Sequence, residues 1–197
     1  LEELRDYDGI IVPGGFGARG VEGKINAIQF VRENNIPFLG LCYGMQMAVI
    51  EFARNVCGMK DANTTENEAI TKHPVIHLMP KQKEFMKKRA YGGTMRLGGW
   101  RAIVKKGTLA FTIYEKYNSF INKNAGLTSE RHRHRYEFND VYVKEFEKKG
   151  LVVSARSQDE NLVEIIELPK EVHPFYLGTQ GHPEYKSRPL SPHPIFI

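Results

Sequence analysis

Cys42 lies in the stretch Gly40-Leu41-Cys42-Tyr43-Gly44, between the short apolar segment "IPFLGL" and the helical pattern "GMQMAVIEFARNVCG". Where a strand turns abruptly into a helix, the corner residue is forced into a strained backbone conformation and its side chain is lifted toward the helix N-terminus. Glycines two residues to either side remove side chains that would collide in so tight a turn. The partial positive charge of the helix end favours a thiolate there, and the N–H of Tyr43 points to where a tetrahedral oxyanion would form. The same five residues also suit a small buried thiol at a strand–helix joint, since cysteine is among the most buried residue types. Cys57, near the end of the helical pattern, reads as a buried structural thiol.

A nucleophilic thiol needs a base, and a histidine base needs an orienting group. His182 directly follows the apolar segment "FYLGTQ" and a glycine, and Glu184 stands two residues on, across Pro183. These residues supply a Cys42–His182–Glu184 order suited to acyl transfer; the alternative is a surface-turn histidine with a solvated carboxylate. In "VPGGFGARG", Gly14, Gly15 and Gly17 let backbone N–H groups approach a ligand, which offers a second oxyanion donor. The run lacks the Lys-Ser/Thr ending of a phosphate loop and is a weak nucleotide signal. In "RHRHRYE", residues 131–137, strand alternation puts Arg131, Arg133 and Arg135 on one face and His132 and His134 on the other. Two histidines do not complete a metal site, so no metal is expected. The arginines suit a carboxylate or phosphate, and without interleaved aromatics a nucleic-acid groove is not expected.

The elements that must position these residues follow from periodicity. A short strand over Gly9 to Val12 is closed by Pro13-Gly14-Gly15, and Val21, Ile25, Ile28 and Val31 form one apolar helical stripe. "IPFLGL" is a second strand, and the helix after Cys42 ends near Gly58. Strand, helix, strand, helix predicts a parallel sheet with crossover helices. Residues 59 to 98 read as loops with at most one short helix. "GWRAIVKKG", "RHRHRYEFN", "GLVVSARS", "NLVEIIEL" and "FYLGTQ" read as strands, with a helix in "VYVKEFEKKG".

The chain has 197 residues, a net charge of +5 and two cysteines. That length suits one domain, with no internal repeat or linker to divide it. The cysteine count excludes a disulfide framework. The basic residues scatter through mixed-charge segments such as "KQKEFMKKRA", which read as solvated helix faces. No apolar run reaches the 18 residues a membrane span needs, and "LEELRDYDG" has no signal-peptide pattern, so a cytoplasmic setting is expected.

"GLCYGMQ" and "GHPE" resemble the two ends of the triad of class I glutamine amidotransferases. "PGGFGARGVEGKINAI", "GGTMRLG", "RHRHRYEFN", "LVVSARS" and "HPEYKSRPLSPHPIF" are similar to the amidotransferase domains of the CTP synthase family, and these segments span residues 13 to 196. The resemblance implies an α/β three-layer sandwich, flavodoxin-like, with a central mostly parallel sheet flanked by helices. It implies that residues 1–197 are one glutaminase domain that begins inside the fold, without its first strand and helix and without the N-terminal synthetase domain. It implies that Cys42 attacks L-glutamine while His182 and Glu184 move the proton. Gly15, Leu41, Tyr43, Gly44, Gln46, Glu66 and Arg133 would bind glutamine or form the oxyanion hole. No cofactor is implied in this domain. Mg2+, ATP and UTP belong to the synthetase partner, with GTP as activator and a homo-oligomer formed through the missing domain. Two departures stand out: Tyr43, where this family more often has leucine, and Gly181, in place of an aromatic before His182, which predicts looser packing behind that ring. A γ-glutamyl hydrolase and a non-catalytic regulatory module remain as alternatives.

Overall fold

The computed structural model describes residues 1–79 and 95–197. The "GGT" of "GGTMRLG" and much of the 59–98 stretch therefore lie outside the described residues. Four elements run as the periodicity predicts: β1 (Ile10–Val12), α1 (Val21–Glu33), β2 (Phe38–Leu41) and α2 (Tyr43–Asn55). On α1 the buried residues are Val21, Ile25, Ile28 and Val31, the whole expected stripe. In α2 every residue from Tyr43 to Ala53 is buried, so this helix is wrapped on all sides. Its one buried carboxylate, Glu51, is neutralised by Arg32 of α1 at 2.8 Å.

The remaining strands are β3 (Ala62–Thr64), β4 (His73–Leu78), β5 (Arg96–Val104), β6 (Leu127–His134), β7 (Tyr136–Phe138), β8 (Val152–Ser157), β9 (Val163–Glu167) and β10 (Tyr176–Thr179). The main sheet has seven strands in the order β1-β2-β10-β9-β8-β5-β6. β2 pairs in parallel with both β1 and β10, and every other pairing in this sheet is antiparallel. The sheet is thus mixed, and the expected parallel character is confined to the three strands that carry the site. The physical reason is connection length: a parallel return needs a crossover of a dozen or more residues, and the short links β8–β9 and β9–β10 cannot supply one.

Two further differences concern the middle of the chain. Within the stretch read as loops, β3 and β4 join β7 in a separate three-stranded sheet. A helix, α3 (Leu109–Lys116), also forms where no element was expected. Its N-terminus is capped twice. Thr108 accepts from the Phe111 N–H, and the Glu167 carboxylate accepts from the N–H groups of Leu109 and Ala110 at 2.7 and 3.0 Å. The expected helix in "VYVKEFEKKG" is α4 (Val143–Lys148).

Alternation along the central strands separates two cores and gives the three layers. Phe38, Ile166 and Tyr176 pack with α1, α2 and α4 on one side, whereas Leu39, Leu41, Ile165 and Leu177 pack with Ala110, Phe111 and Tyr114 of α3 on the other. The C-terminal ends of parallel β1, β2 and β10 open onto one edge, and the site lies there.

Candidate active site

Cys42 joins β2 to α2 at φ 48 and ψ −99, one of four described non-glycine residues with positive φ. Such a conformation costs of the order of 1–3 kcal/mol and persists only where the surroundings over-determine it. Here its N–H donates to the Thr179 carbonyl at 2.7 Å, and its own carbonyl accepts from the Gln46 N–H at 3.2 Å. Both flanking glycines are required by packing. A Cβ on Gly40 would lie 2.8 Å from the carbonyl carbon of Gly44, and one on Gly44 would lie 2.0 Å from the carbonyl oxygen of Val12. The elbow is therefore backbone pressed on backbone between β1, β2 and α2.

The thiol is 4 % exposed. Burial pushes its pKa up to about 12, against donation from the Tyr43 backbone and from Gln180, with the charges of Glu184 and Glu66 adding to the rise. Burial thus opposes the thiolate that the helix end favours. Gln180 Nε2 lies 3.4 Å from Sγ.

His182 is held firmly at one ring nitrogen. His182 Nδ1 meets Glu184 Oε1 at 2.5 Å, which fixes the tautomer and leaves Nε2 as the acceptor. Nε2 is buried and has no hydrogen-bond partner among the described residues. The ring stacks on Tyr185, with centroids 4.9 Å apart and planes at 14°. Its other flank meets Gly14, where a Cβ would stand 2.9 Å from Cε1 of His182 and 3.8 Å from Cβ of Cys42. The looser packing expected from Gly181 is not found: a Cβ there would already stand 3.0 Å from Cβ of Glu130, and the His182 N–H is tied to the Arg131 carbonyl at 2.7 Å.

A cleft of about 600 Å³ opens over these groups, lined among others by Gly14, Gly15, Cys42, Gln46, Glu66 and Arg133. Glu66 and Arg133 thus face the same cavity as the thiol, an anion and a cation suited to the two charges of a free amino acid. Gln46 donates from Nε2 to the Tyr136 carbonyl at 2.9 Å and to Gln180 Oε1 at 3.2 Å, so it orients the amide beside the sulfur. Leu41 and Gly44 do not line the cleft. Leu41 packs into the far core, and Gly44 shapes the elbow. Tyr43 turns its side chain away, 2 % exposed, to donate to the Gly17 carbonyl at 2.5 Å.

Sequence reasoning missed Gln180, although a carboxamide two residues before His182, at the exit of β10, was a usable signal. It also missed what lies behind the triad. His132 and His134, on the inward face as alternation predicts, are 3.2 Å apart. Arg96 Nη1 meets Glu164 Oε1 at 2.6 Å, and His132 Nε2 lies 3.3 Å from Glu164 Oε2. The two imidazoles pack against the Arg96–Glu164 ion pair, and among the described residues no group of three or more His, Cys, Asp or Glu is arranged to hold a metal.

A cysteine at a strand–helix elbow, a histidine held by a carboxylate and a glycine-rich loop at the carboxyl ends of parallel strands form the arrangement of a thiol-dependent acyl-transfer enzyme on an α/β scaffold. The sequence model described as glutamine amidotransferase class-I matches residues 1–197, and the chain belongs to that family. It is 58% identical over 195 residues to a CTP synthase of Caldanaerobacter subterraneus and 56% identical over 197 residues to one of Sulfolobus acidocaldarius. Those alignments take in 99% and 100% of this chain but 34% of each relative, so the chain spans about a third of their length. Among solved structures, the glutaminase domain of Trypanosoma brucei CTPS with bound acivicin matches with a TM-score of 0.86 at 40% identity, covering 99% of this chain and 70% of that one. A glutamine amidotransferase from Methylobacillus flagellatus, 15% identical with a TM-score of 0.56 over 93% of this chain and 55% of that one, shares the fold.

Proposed function

We propose that this chain is the glutaminase part of a CTP synthase, hydrolysing L-glutamine to glutamate and supplying ammonia for amination of UTP. The observation that carries the reading is the Cys42–His182–Glu184 constellation. The buried neutral thiol shares a cleft with an imidazole whose Nδ1 is held by Glu184 at 2.5 Å. In this reading Glu66 takes the glutamine ammonium and Arg133 its carboxylate. Cys42 Sγ bonds to the side-chain amide carbon as its proton passes to His182 Nε2. The N–H groups of Gly15 and Tyr43 hold the resulting oxyanion. Collapse breaks the C–N bond, His182 returns the proton to nitrogen, and ammonia leaves behind a glutamyl thioester. Water, deprotonated by His182, then attacks the thioester carbon, and the C–S bond breaks to release glutamate and the thiol.

The identities to CTP synthases support the destination of the ammonia: a synthetase domain that uses Mg-ATP and UTP, responds to GTP and forms the oligomer, in the cytoplasm. The test uses the full-length protein with nucleotides present. A diazo-ketone glutamine analogue should add its mass to Cys42, and Cys42→Ala should abolish glutamine-dependent CTP formation while ammonia-dependent formation persists. No adduct, or an unchanged glutamine-dependent rate in Cys42→Ala, overturns the reading. Ready turnover of γ-glutamyl peptides without CTP formation would place the chain with the γ-glutamyl hydrolases instead.

A further inference from the structure

The glycine loop between β1 and α1, residues 13–20, carries the proposed oxyanion donor Gly15 yet has little to hold it. Apart from half-buried Gly17 its residues are exposed, and its one large apolar side chain, Phe16, is 86% exposed. A loop without an apolar anchor must be placed by hydrogen bonds. Three side chains outside the loop supply them: Lys24 Nζ, at the exposed far end, donates to the Arg19 carbonyl at 3.3 Å, and the other two act on Gly17, nearer Gly15. Tyr43 OH donates to the Gly17 carbonyl at 2.5 Å, and Glu66 Oε1 accepts from the Gly17 N–H at 3.1 Å. The tyrosine is itself held, since Asn67 Nδ2 donates to its hydroxyl at 3.1 Å. The loop also rests on the ring: a Cβ on Gly15 would stand 3.4 Å from Cδ1 of Tyr43. Gly17 stands at φ 76, in the left-handed region that favours glycine.

Resting on the proposed glutaminase reading, we infer that the Tyr43 side chain is a positioning group for the oxyanion hole. Its hydroxyl and ring fix the loop that presents the Gly15 N–H, while its own backbone N–H is the second donor. One residue thereby supplies one donor and locates the other. Glu66, which would take the substrate ammonium with its carboxylate, holds the same glycine, so amino-acid recognition and oxyanion geometry meet at Gly17. An oxyanion donor is effective only when held within a few tenths of an ångström of the developing charge. Loosening the loop should therefore slow the chemical step and spare ground-state binding.

The test is Tyr43→Phe in the full-length protein, which removes only the hydroxyl. The kcat for glutamine hydrolysis should fall roughly tenfold, the effect of losing one hydrogen bond of ordinary strength, with KM changed less than about twofold. Backbone amide exchange should accelerate in residues 13–20 and stay unchanged in α2. Ammonia-dependent CTP formation should not move. An unchanged kcat, a change confined to KM, or unaltered exchange in the loop overturns the inference. If the parent protein neither hydrolyses glutamine nor labels at Cys42, the glutaminase reading has failed, and the exchange experiment still decides whether the hydroxyl holds the loop.

Discussion

At the scale of single residues, the positive φ of Cys42 makes a prediction opposite to ordinary experience. In a helix or strand, glycine is less stable than alanine by about 0.5–1 kcal/mol. At φ 48 and ψ −99 the Cβ itself is the source of strain. Cys42→Gly should therefore unfold at higher urea than Cys42→Ala, by about 1 kcal/mol, although both abolish glutamine hydrolysis; the reverse order would deny that the elbow stores strain. In the proposed reading Glu184 acts through orientation. Glu184→Gln keeps the shape of the 2.5 Å contact with Nδ1 but permits the wrong tautomer, and kcat should drop at least about 100-fold with KM little changed in steady-state assays. The placement of these residues in one cleft was legible because residue type and spacing encode it: a thiol between two glycines, and His-Pro-Glu at a strand exit. Gln180 and Asn67 were not legible, because a carboxamide's role depends on which neighbour its two ends reach. Gln180 finds the sulfur of Cys42, distant in sequence, and Asn67 finds the Tyr43 hydroxyl.

At the scale of elements, glycine substitutions separate backbone freedom from close approach. Gly23 lies exposed in the first turn of α1 with nothing within 4 Å of a built Cβ, so Gly23→Ala should raise stability by about 0.5 kcal/mol. Gly44→Ala puts a methyl 2.0 Å from the Val12 carbonyl oxygen, and only displacement of β1 from α2 can relieve it. A loss of about 3 kcal/mol is expected in chemical denaturation, with glutaminase activity falling further than stability requires because the elbow is re-aimed. Both helices were readable because burial imposes a period: a one-sided stripe on α1, and an apolar run after a breaker for α2. The helix α3 went unread. Its sequence, "LAFTIYEK", is too short and too rich in β-branched and aromatic residues to show a helical period. Its cap is the Glu167 carboxylate, 58 residues from Leu109. β3 is three residues long and includes Asn63, a poor strand former, and only pairing with β4 makes it a strand.

At the scale of the whole molecule, local patterns say little about pairing, since strand neighbours are chosen by contacts distant in sequence. The antiparallel two-thirds of the main sheet was invisible for that reason, although its individual strands were readable. That part of the sheet also buries charge, and this sets how the fold should respond to acid. His134 is held down to about pKa 3 by burial and by Arg96, and His132 is depressed further by burial, Arg96 and His134. Both imidazoles stay neutral in the folded protein and take up protons once unfolded, near their ordinary value of about 6.5. Their stabilisation is thus complete above that pH and is lost as pH falls below it, by about 1.4 kcal/mol per unit for each. Glu164 works the other way. Burial raises its carboxyl to about 7 against the pull of Arg96, so between about 4.5 and 7 the folded state holds a proton that the unfolded state has released. The three groups together leave a net slope of about 1.4 kcal/mol per unit from pH 6.5 to 4.5, steepening to about twice that below 4.5 as Glu164 becomes protonated in both states. Urea unfolding at pH 7.5, 6.0, 5.0 and 4.0 should show stability falling with acid, and unfolding at pH 5.5 should take up protons on balance by potentiometry, buried His173 adding to the uptake in the same direction. A flat stability between pH 6 and 4, or proton release at pH 5.5, would mean that the histidines are charged in the fold and that burial and Arg96 do not hold them neutral.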